Sequence, residues 1–220
     1  TGRLGPSALI GIQAVLIGLA IGLILGILAA WKHNSGIDYL TMILAVLGVS
    51  VPNFVAAALL QYYIGLKWGV LPVGFWTGWN CSVLPSIALS FSATAMVARF
   101  MRTEMLDVLD QDYIITARAK GLSQMKVLMR HAVRNSILPV VTILGPIVVN
   151  LMTGSLAVEN IFSIPGIGSL FVDCIKANDY PVIMGITIFY AAFYMLIVLL
   201  VDLAYSLIDP RIRLAKGKES

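Results

Sequence analysis

Charge is what this sequence lacks most. Of its 220 residues only 12% are Asp, Glu, Lys or Arg, against 59% in the hydrophobic set, and mean hydropathy is +0.92. A soluble domain carries charge at about 25% of positions. Half that amount does not cover the surface of a water-soluble globule, which argues against a soluble enzyme, a nucleic-acid module or a disordered tail. Cysteine is scarce as well. Cys81 and Cys174 are too few for a disulfide scaffold, and no Cys or His spacing reads as a zinc site. No signal peptide is visible, because the first apolar run is too long and has no small-residue cleavage site.

What the sequence does have is uncharged runs long enough to cross a bilayer. A helix needs about 20 mostly apolar residues to span the hydrocarbon core, and five stretches qualify: 8–31, 39–64, 84–101, 137–158 and 182–208. Each is expected to be helical, since hydrocarbon offers no water to satisfy free backbone groups. The expected fold class is therefore all-α, a polytopic helical bundle forming a single transmembrane domain over 1–220. Pro52, Pro139 and Pro146 are expected to kink their spans.

Orientation follows from the basic residues. Alternate loops place Lys32, Arg99, Arg102, Arg118, Lys120, Lys126, Arg130, Arg134, Arg211, Arg213, Lys216 and Lys218 on one side. Arg3, Lys67 and Lys176 fall on the other. The first side is expected to be cytoplasmic, with the end of the chain inside and its start outside. On the external side, 67–82 carries Trp68, Trp76 and Trp79, as an interfacial aromatic belt does. The glycine-rich 159–181 is expected to dip back into the membrane or cap the bundle. Cys81 and Cys174 share that side, which leaves a disulfide between them open.

One polar stretch, 102–135, separates the third and fourth spans. It reads as two helical pieces broken at Gly121. The first, 111–120, stops at a glycine suited to the left-handed C-cap conformation, and Ser123 is placed to cap the second. In the second piece Lys126, Arg130 and Arg134 recur every four residues beside an apolar face of Met125, Leu128, Met129 and Ala132. Such an element either lies on anionic lipid or docks a soluble partner, apolar knobs in a groove and cations on its acidic rim.

The residues of this stretch also resemble a known family. Asp112-Tyr-Ile-Ile-Thr-Ala-Arg-Ala-Lys-Gly-Leu-Ser123, continuing to Arg130-His-Ala-Val-Arg-Asn-Ser-Ile-Leu-Pro139, is similar to the EAA loop of ATP-binding-cassette (ABC) importer permeases, and most closely to the dipeptide/oligopeptide/nickel branch. Aligned on Gly121, the Glu-Ala-Ala positions fall on Ile115, Thr116 and Ala117. Only the last Ala and the Gly match the general pattern, and the departures are those of the peptide branch. Phe162-Ser-Ile-Pro-Gly-Ile-Gly168 with Asn178-Asp-Tyr-Pro-Val182 resembles that branch's last external loop, and Tyr205-Ser-Leu-Ile-Asp-Pro-Arg-Ile-Arg213 its C-terminal signature. Arg134-Asn135 favours the first, B-type, of two paralogous permeases.

The resemblance implies six spans in the intact protein, the first lying upstream of Thr1. It implies a non-catalytic subunit that forms the translocation path for dipeptides or oligopeptides with a homologous second permease. Two cytoplasmic ATP-binding-cassette ATPase subunits would hold ATP and Mg, and an extracytoplasmic substrate-binding protein would capture cargo. No cofactor or metal is expected in this chain. The coupling residues it implies are Thr116, Ala117, Arg118, Ala119, Lys120, Gly121, Lys126 and Arg130. Ala117 and Ala119 would allow close approach to a partner groove whose acidic groups pair with the cations.

Polar residues recur at helical spacing on three spans: Ser50, Asn53 and Gln61; Ser86, Ser90 and Thr94; Thr142, Asn150 and Thr153. They serve either as glue between helices or as the lining of a path. No acid or base sits near a span midplane, which argues against an ion-coupled carrier; Asp202 lies near the end of its span. A channel or ion-coupled carrier without ATPase partners is the alternative class, and it leaves the two-helix loop unexplained. Nickel-chelate or glutathione cargo is the alternative within the class, and no His or Cys cluster lines a span to bind nickel directly.

Overall fold

The computed structural model describes residues 2–152 and 156–208. Among them the chain is helical and has no strand. The helices are α1 (Leu4–Trp31), α2 (Gly36–Ser50), α3 (Asn53–Leu60), α4 (Val83–Leu109), α5 (Asp112–Ala119), α6 (Gln124–Val127), α7 (Arg134–Met152), α8 (Leu156–Ile161), α9 (Ile167–Lys176) and α10 (Tyr180–Ile208). A π-helical segment, Gln61–Lys67, extends α3, and another, Leu128–Val133, joins α6 to α7.

Four helical stretches are long and apolar enough to cross a membrane alone: Leu4–Trp31, Trp79–Leu109, Gln124–Leu151 and Tyr180–Val201. The fifth expected span is broken. Its limbs, Gly36–Ser50 and Asn53–Lys67, meet at 100°, far more than a kink. Pro52 has no N–H to continue the ladder and forces its predecessor out of the helical region; Val51 is accordingly extended, at φ −82° and ψ 119°. Pro139 and Pro146, by contrast, lie inside α7 without ending it.

Two boundaries also differ from expectation. α4 passes the expected end at 101 and runs to Leu109, and the next long helix starts at Gln124 rather than 137. Hydropathy marks where a helix leaves the apolar layer, and the helix itself continues past that point. The expected loop 102–135 therefore contracts to 110–123, carried between two long helices.

α4 is the centre of the bundle: 67% of its most apolar stretch is buried, against 6% of that in α10. α1 lies along it through Ala14, Gly18, Gly22 and Gly26, all buried. A Cβ on Gly22 would sit 2.7 Å from the Val97 Cβ, and one on Gly26 would sit 2.6 Å from the Ala98 carbonyl oxygen and 2.7 Å from the Met101 Cβ. Between apolar helices in lipid, association depends on such close packing. Ser86 adds a bond across the same seam, donating to Gln13 Oε1 at 2.9 Å. Leu84, Leu89, Val97, Met101 and Met105 of α4 then meet Val140 of α7 and Phe162 after α8 in one core. Cys81 and Cys174 are both buried and both free thiols, so the disulfide left open by the sequence is absent.

Candidate functional site

The basic end of the bundle carries the loop singled out by sequence. α5 stops at Ala119, and Gly121 takes φ +78°, donating its N–H to the Arg118 carbonyl at 2.9 Å. A Cβ there would meet nothing within 4 Å, so glycine is needed for its backbone conformation and not for space. Ser123 stands in extended conformation at the start of α6, but its side chain makes no capping bond.

Ile114, Ala117 and Val127 form a small core that packs against Val108, Leu109 and Leu122. That core fixes the angle between α5 and α6 and turns Ala117 inward, so its small side chain serves the loop's own packing rather than a partner groove. Thr116, Arg118, Ala119, Lys120, Gly121, Lys126 and Arg130 are exposed. Thr116 Oγ1 is satisfied by the Asp112 carbonyl at 3.0 Å. The expected apolar face divides: Leu128 and Ala132 are buried, while Met125 and Met129 remain 50% and 53% exposed beside Tyr113 and Ile115. The division follows two neighbouring four-residue rows: Leu128 and Ala132 continue into buried Ser136 and Val140, whereas Met125 and Met129 lie on the exposed row. The segment thus exposes Tyr113, Ile115, Met125 and Met129 together with the cations Arg118, Lys120, Lys126 and Arg130. A cavity of about 280 Å³ lies among Trp31, Leu109, Arg118, Gln124, Val127 and Leu128.

The candidate path residues scatter. Ser86 and Ser90 are buried; Ser86 binds α1, and Ser90 donates to the Ile87 carbonyl within its own helix at 2.8 Å. Gln61 donates twice at 2.7 Å, to the carbonyls of Val73 and Ile161, tying the π-helical segment to a loop and to the end of α8. Thr142 bonds the Pro139 carbonyl, occupying an oxygen near the proline. Ser50 and Asn53 flank the 100° break, Ser50 exposed and Asn53 half-buried. Thr94 lines an apolar cavity of about 380 Å³ beside that break, with Leu44, Gly48, Leu59 and Phe91. Asn150 lines a smaller cleft between α4 and α7 with Ser92, Met96 and Pro146. Thr153, the Asp202 side chain and most of the C-terminal signature, from 209 on, lie outside the described residues.

Two polar clusters escape a reading of the sequence. At the end opposite the basic loop, Glu159 of α8 is 2% exposed. Its carboxylate accepts from Ser7 Oγ of α1 at 2.7 Å and from the Ser169 N–H in the first turn of α9 at 3.0 Å. Ser7 Oγ in turn accepts from the Ile167 N–H. The carboxylate occupies the space that side chains at Gly166 and Gly168 would need, which explains the Pro-Gly-x-Gly run. Burial pushes the Glu159 carboxyl above its ordinary range, and the bonds from Ser7, Ser169 and Gly168 oppose that shift. The sequence signal was a lone acid at the end of an apolar run, six residues before that Pro-Gly-x-Gly run.

Removing the Glu159 carboxylate takes the acceptor from the donors on Ser7, Ser169 and Gly168, at a cost of about 1–3 kcal/mol for each that stays buried and unpaired. Glu159→Ala in a Cys81→Ser background is expected to raise maleimide labelling of Cys174, buried in α9, by roughly tenfold or more on that basis. Unchanged labelling would show that α9 is held without Glu159.

The second cluster is at the basic end. Asp38, in the first turn of α2 and 2% exposed, accepts a bidentate pair from Arg102 of α4, Nε at 2.5 Å and Nη2 at 2.8 Å. No spacing rule links residues so far apart in sequence. Among the described residues, no group of three His, Cys, Asp or Glu side chains is placed to hold a metal ion.

Comparison with known proteins agrees with this architecture. Residues 22–214 match the family model described as "Binding-protein-dependent transport system inner membrane component". The chain is 48% identical over 209 residues to the dipeptide transport system permease protein DppB of Bacillus subtilis (strain 168), covering 94% of this chain and 67% of that protein. It is 41% identical over 211 residues to the oligopeptide transport system permease protein OppB of Salmonella typhimurium (strain LT2), covering 94% and 68%. In fold it is similar to a chain of the inward-facing MetNI methionine ABC transporter, with a TM-score of 0.77 at 14% identity and 94% of each chain covered. A relative at 48% identity over nearly the whole chain, with a family match over most of it, settles the membership. This chain belongs to the family of inner-membrane components of binding-protein-dependent transport systems.

Proposed function

We propose that this chain is the B-type permease of an ATP-driven peptide importer, and that 110–123 with α6 is where ATPase subunits drive it. The carrying observation is the short helix α5, packed against the start of the long helix at Gln124 through the Ile114–Ala117–Val127 core and broken from it at Gly121. Met125 in α6 and Met129 in the following π-helical turn stay exposed in a segment that also exposes Arg118, Lys120, Lys126 and Arg130. A membrane-surface helix would lie flat as one continuous element with its apolar face toward lipid. Here α5 is instead held at a fixed break against the start of the next long helix, which offers a single short helix to a helix-in-groove contact.

In this reading the basic end faces the cytoplasm, as the positive-inside rule requires, and the C-terminus lies inside. ATP and Mg are bound by two partner ATPases, and this chain performs no hydrolysis. A second, homologous permease completes the path, and a binding protein delivers cargo to the end marked by Glu159. The dipeptide and oligopeptide permeases to which this chain is similar supply the cargo class. The carboxylate-poor spans fit a path that holds cargo weakly.

The test is ATP-dependent uptake. The full complex, reconstituted in vesicles with its binding protein outside and ATP within, is expected to accumulate labelled di- or oligopeptide, and to do so only with hydrolysable ATP. Uptake driven by an ion gradient without ATP would point to a coupled carrier, and peptide-independent conductance to a channel.

A further inference from the structure

The Asp38–Arg102 pair joins the base of α2 to α4 near the end from which the chain enters α5. Arg102 lies on α4 seven residues before its end at Leu109, where the chain turns directly into α5. Asp38 lies at the base of α2, whose far end is the break at Pro52, about 18 Å away at 1.5 Å per residue. The turn before α2 is built around the same carboxylate. Asn34, at φ +57°, donates its N–H to Asp38 Oδ2 at 3.0 Å, and His33 Nδ1 lies 3.2 Å from both Asp38 Oδ2 and Arg102 Nη2.

Along its length α2 packs on α4 through small side chains. Its buried residues are Asp38, Thr41 and Ala45, a narrow stripe that Gly48 continues toward Ala95 of α4. Tyr39, Leu40, Ile43, Leu47 and Val49 are all exposed. The stripe of small side chains lets α2 approach α4 closely, and the two-bond guanidinium–carboxylate fork adds one fixed geometry at its base. The limb is thus held to α4 by the fork at its base and by close packing along its length, and it ends at the break at Pro52, with the 380 Å³ cavity in the crook.

We infer that the Asp38–Arg102 pair is a positioning strut that carries movement of the ATPase-docking loop into the first limb of the bent span. This rests on the coupling role proposed above. A strut of this kind makes transport per ATP, rather than folding, depend on the fork.

The experiment uses the complete reconstituted importer and reads peptides imported per ATP hydrolysed, a ratio that loss of protein does not alter. Asp38→Asn and Arg102→Lys are compared with wild type and with the exchange Asp38→Arg/Arg102→Asp. The expected result is at least a tenfold fall in peptides per ATP for both single variants, ATPase subunits still bound, and partial recovery in the exchange. Arg102→Lys retains the charge and loses the fork, so it decides the matter if Asp38→Asn accumulates poorly. A ratio within twofold of wild type in Arg102→Lys overturns the strut, whatever the abundance. A wild-type complex that binds its ATPases yet imports no peptide overturns the coupling reading itself.

Discussion

Gly121→Val is expected to cut ATP-driven transport by about tenfold while leaving insertion and abundance of the chain unchanged. Gly121 has φ +78° with open space around its missing Cβ, so valine meets no neighbour. Its penalty is the left-handed backbone itself, roughly 1–2 kcal/mol for a residue with a Cβ and worse for a β-branched one. That energy is released if the α5–α6 angle relaxes, and the relaxed helix no longer fits its groove. Gly121→Asp separates two causes. Asp tolerates the left-handed region better than valine, but it puts a negative charge among Arg118, Lys120 and Lys126. Transport lost in both variants, with ATPase binding weakened in the valine variant as well, assigns the effect to loop geometry. Loss confined to aspartate assigns it to charge. Normal transport at normal abundance in both removes the loop from the mechanism. ATPase activity and peptide uptake in the reconstituted complex are the measurements.

Gly26→Val is expected to act on the other level, the bundle. Its Cβ would press on the Ala98 carbonyl oxygen and the Met101 Cβ, and α1 cannot retreat without opening its seam with α4. Overpacking costs about 1–3 kcal/mol where side chains can yield. Here one of the obstacles is backbone, so the upper end of that range applies. The abundance of the inserted chain, measured by quantitative immunoblot of membranes, should fall at least fivefold, while the residual protein keeps wild-type transport per molecule. Full abundance would mean that the α1–α4 approach is looser than its glycines indicate.

These residues also show what the sequence reveals and what it conceals. Spans are legible because lipid forces backbone bonding within each segment, so an uncharged run of sufficient length has one structural outcome. The break at Gly121 is legible because a lone glycine after a helix-forming run has few other uses. Helix ends at Leu109 and Gln124 are concealed, since hydropathy reports the edge of the apolar layer and α4 continues into water. Pro52 shows where backbone bonding fails, but the 100° turn is set by packing against α4 and α8, which the local sequence does not contain. The spacing of Ser86, Ser90 and Gln61 is compatible with path or glue. Partners decided by tertiary structure, Gln13 and the Val73 and Ile161 carbonyls, place Ser86 and Gln61 in contacts between elements. Asp38–Arg102 and Glu159–Ser7 are invisible in sequence for the same reason. The stripe Gly18, Gly22, Gly26 differs from these: its four-residue spacing was in plain view as a close-packing signal.

If this chain is the membrane half of a machine powered from its basic loop, its companions can be captured with it. The most direct test is to tag the chain in its native cell, isolate it gently in detergent and identify what accompanies it by mass spectrometry, with Gly121→Asp in parallel. The expected result is ATP-binding-cassette ATPases and a second permease in stoichiometric amounts, with the ATPases depleted and the second permease retained in the variant. Recovery of the chain alone, or only as copies of itself, would contradict it.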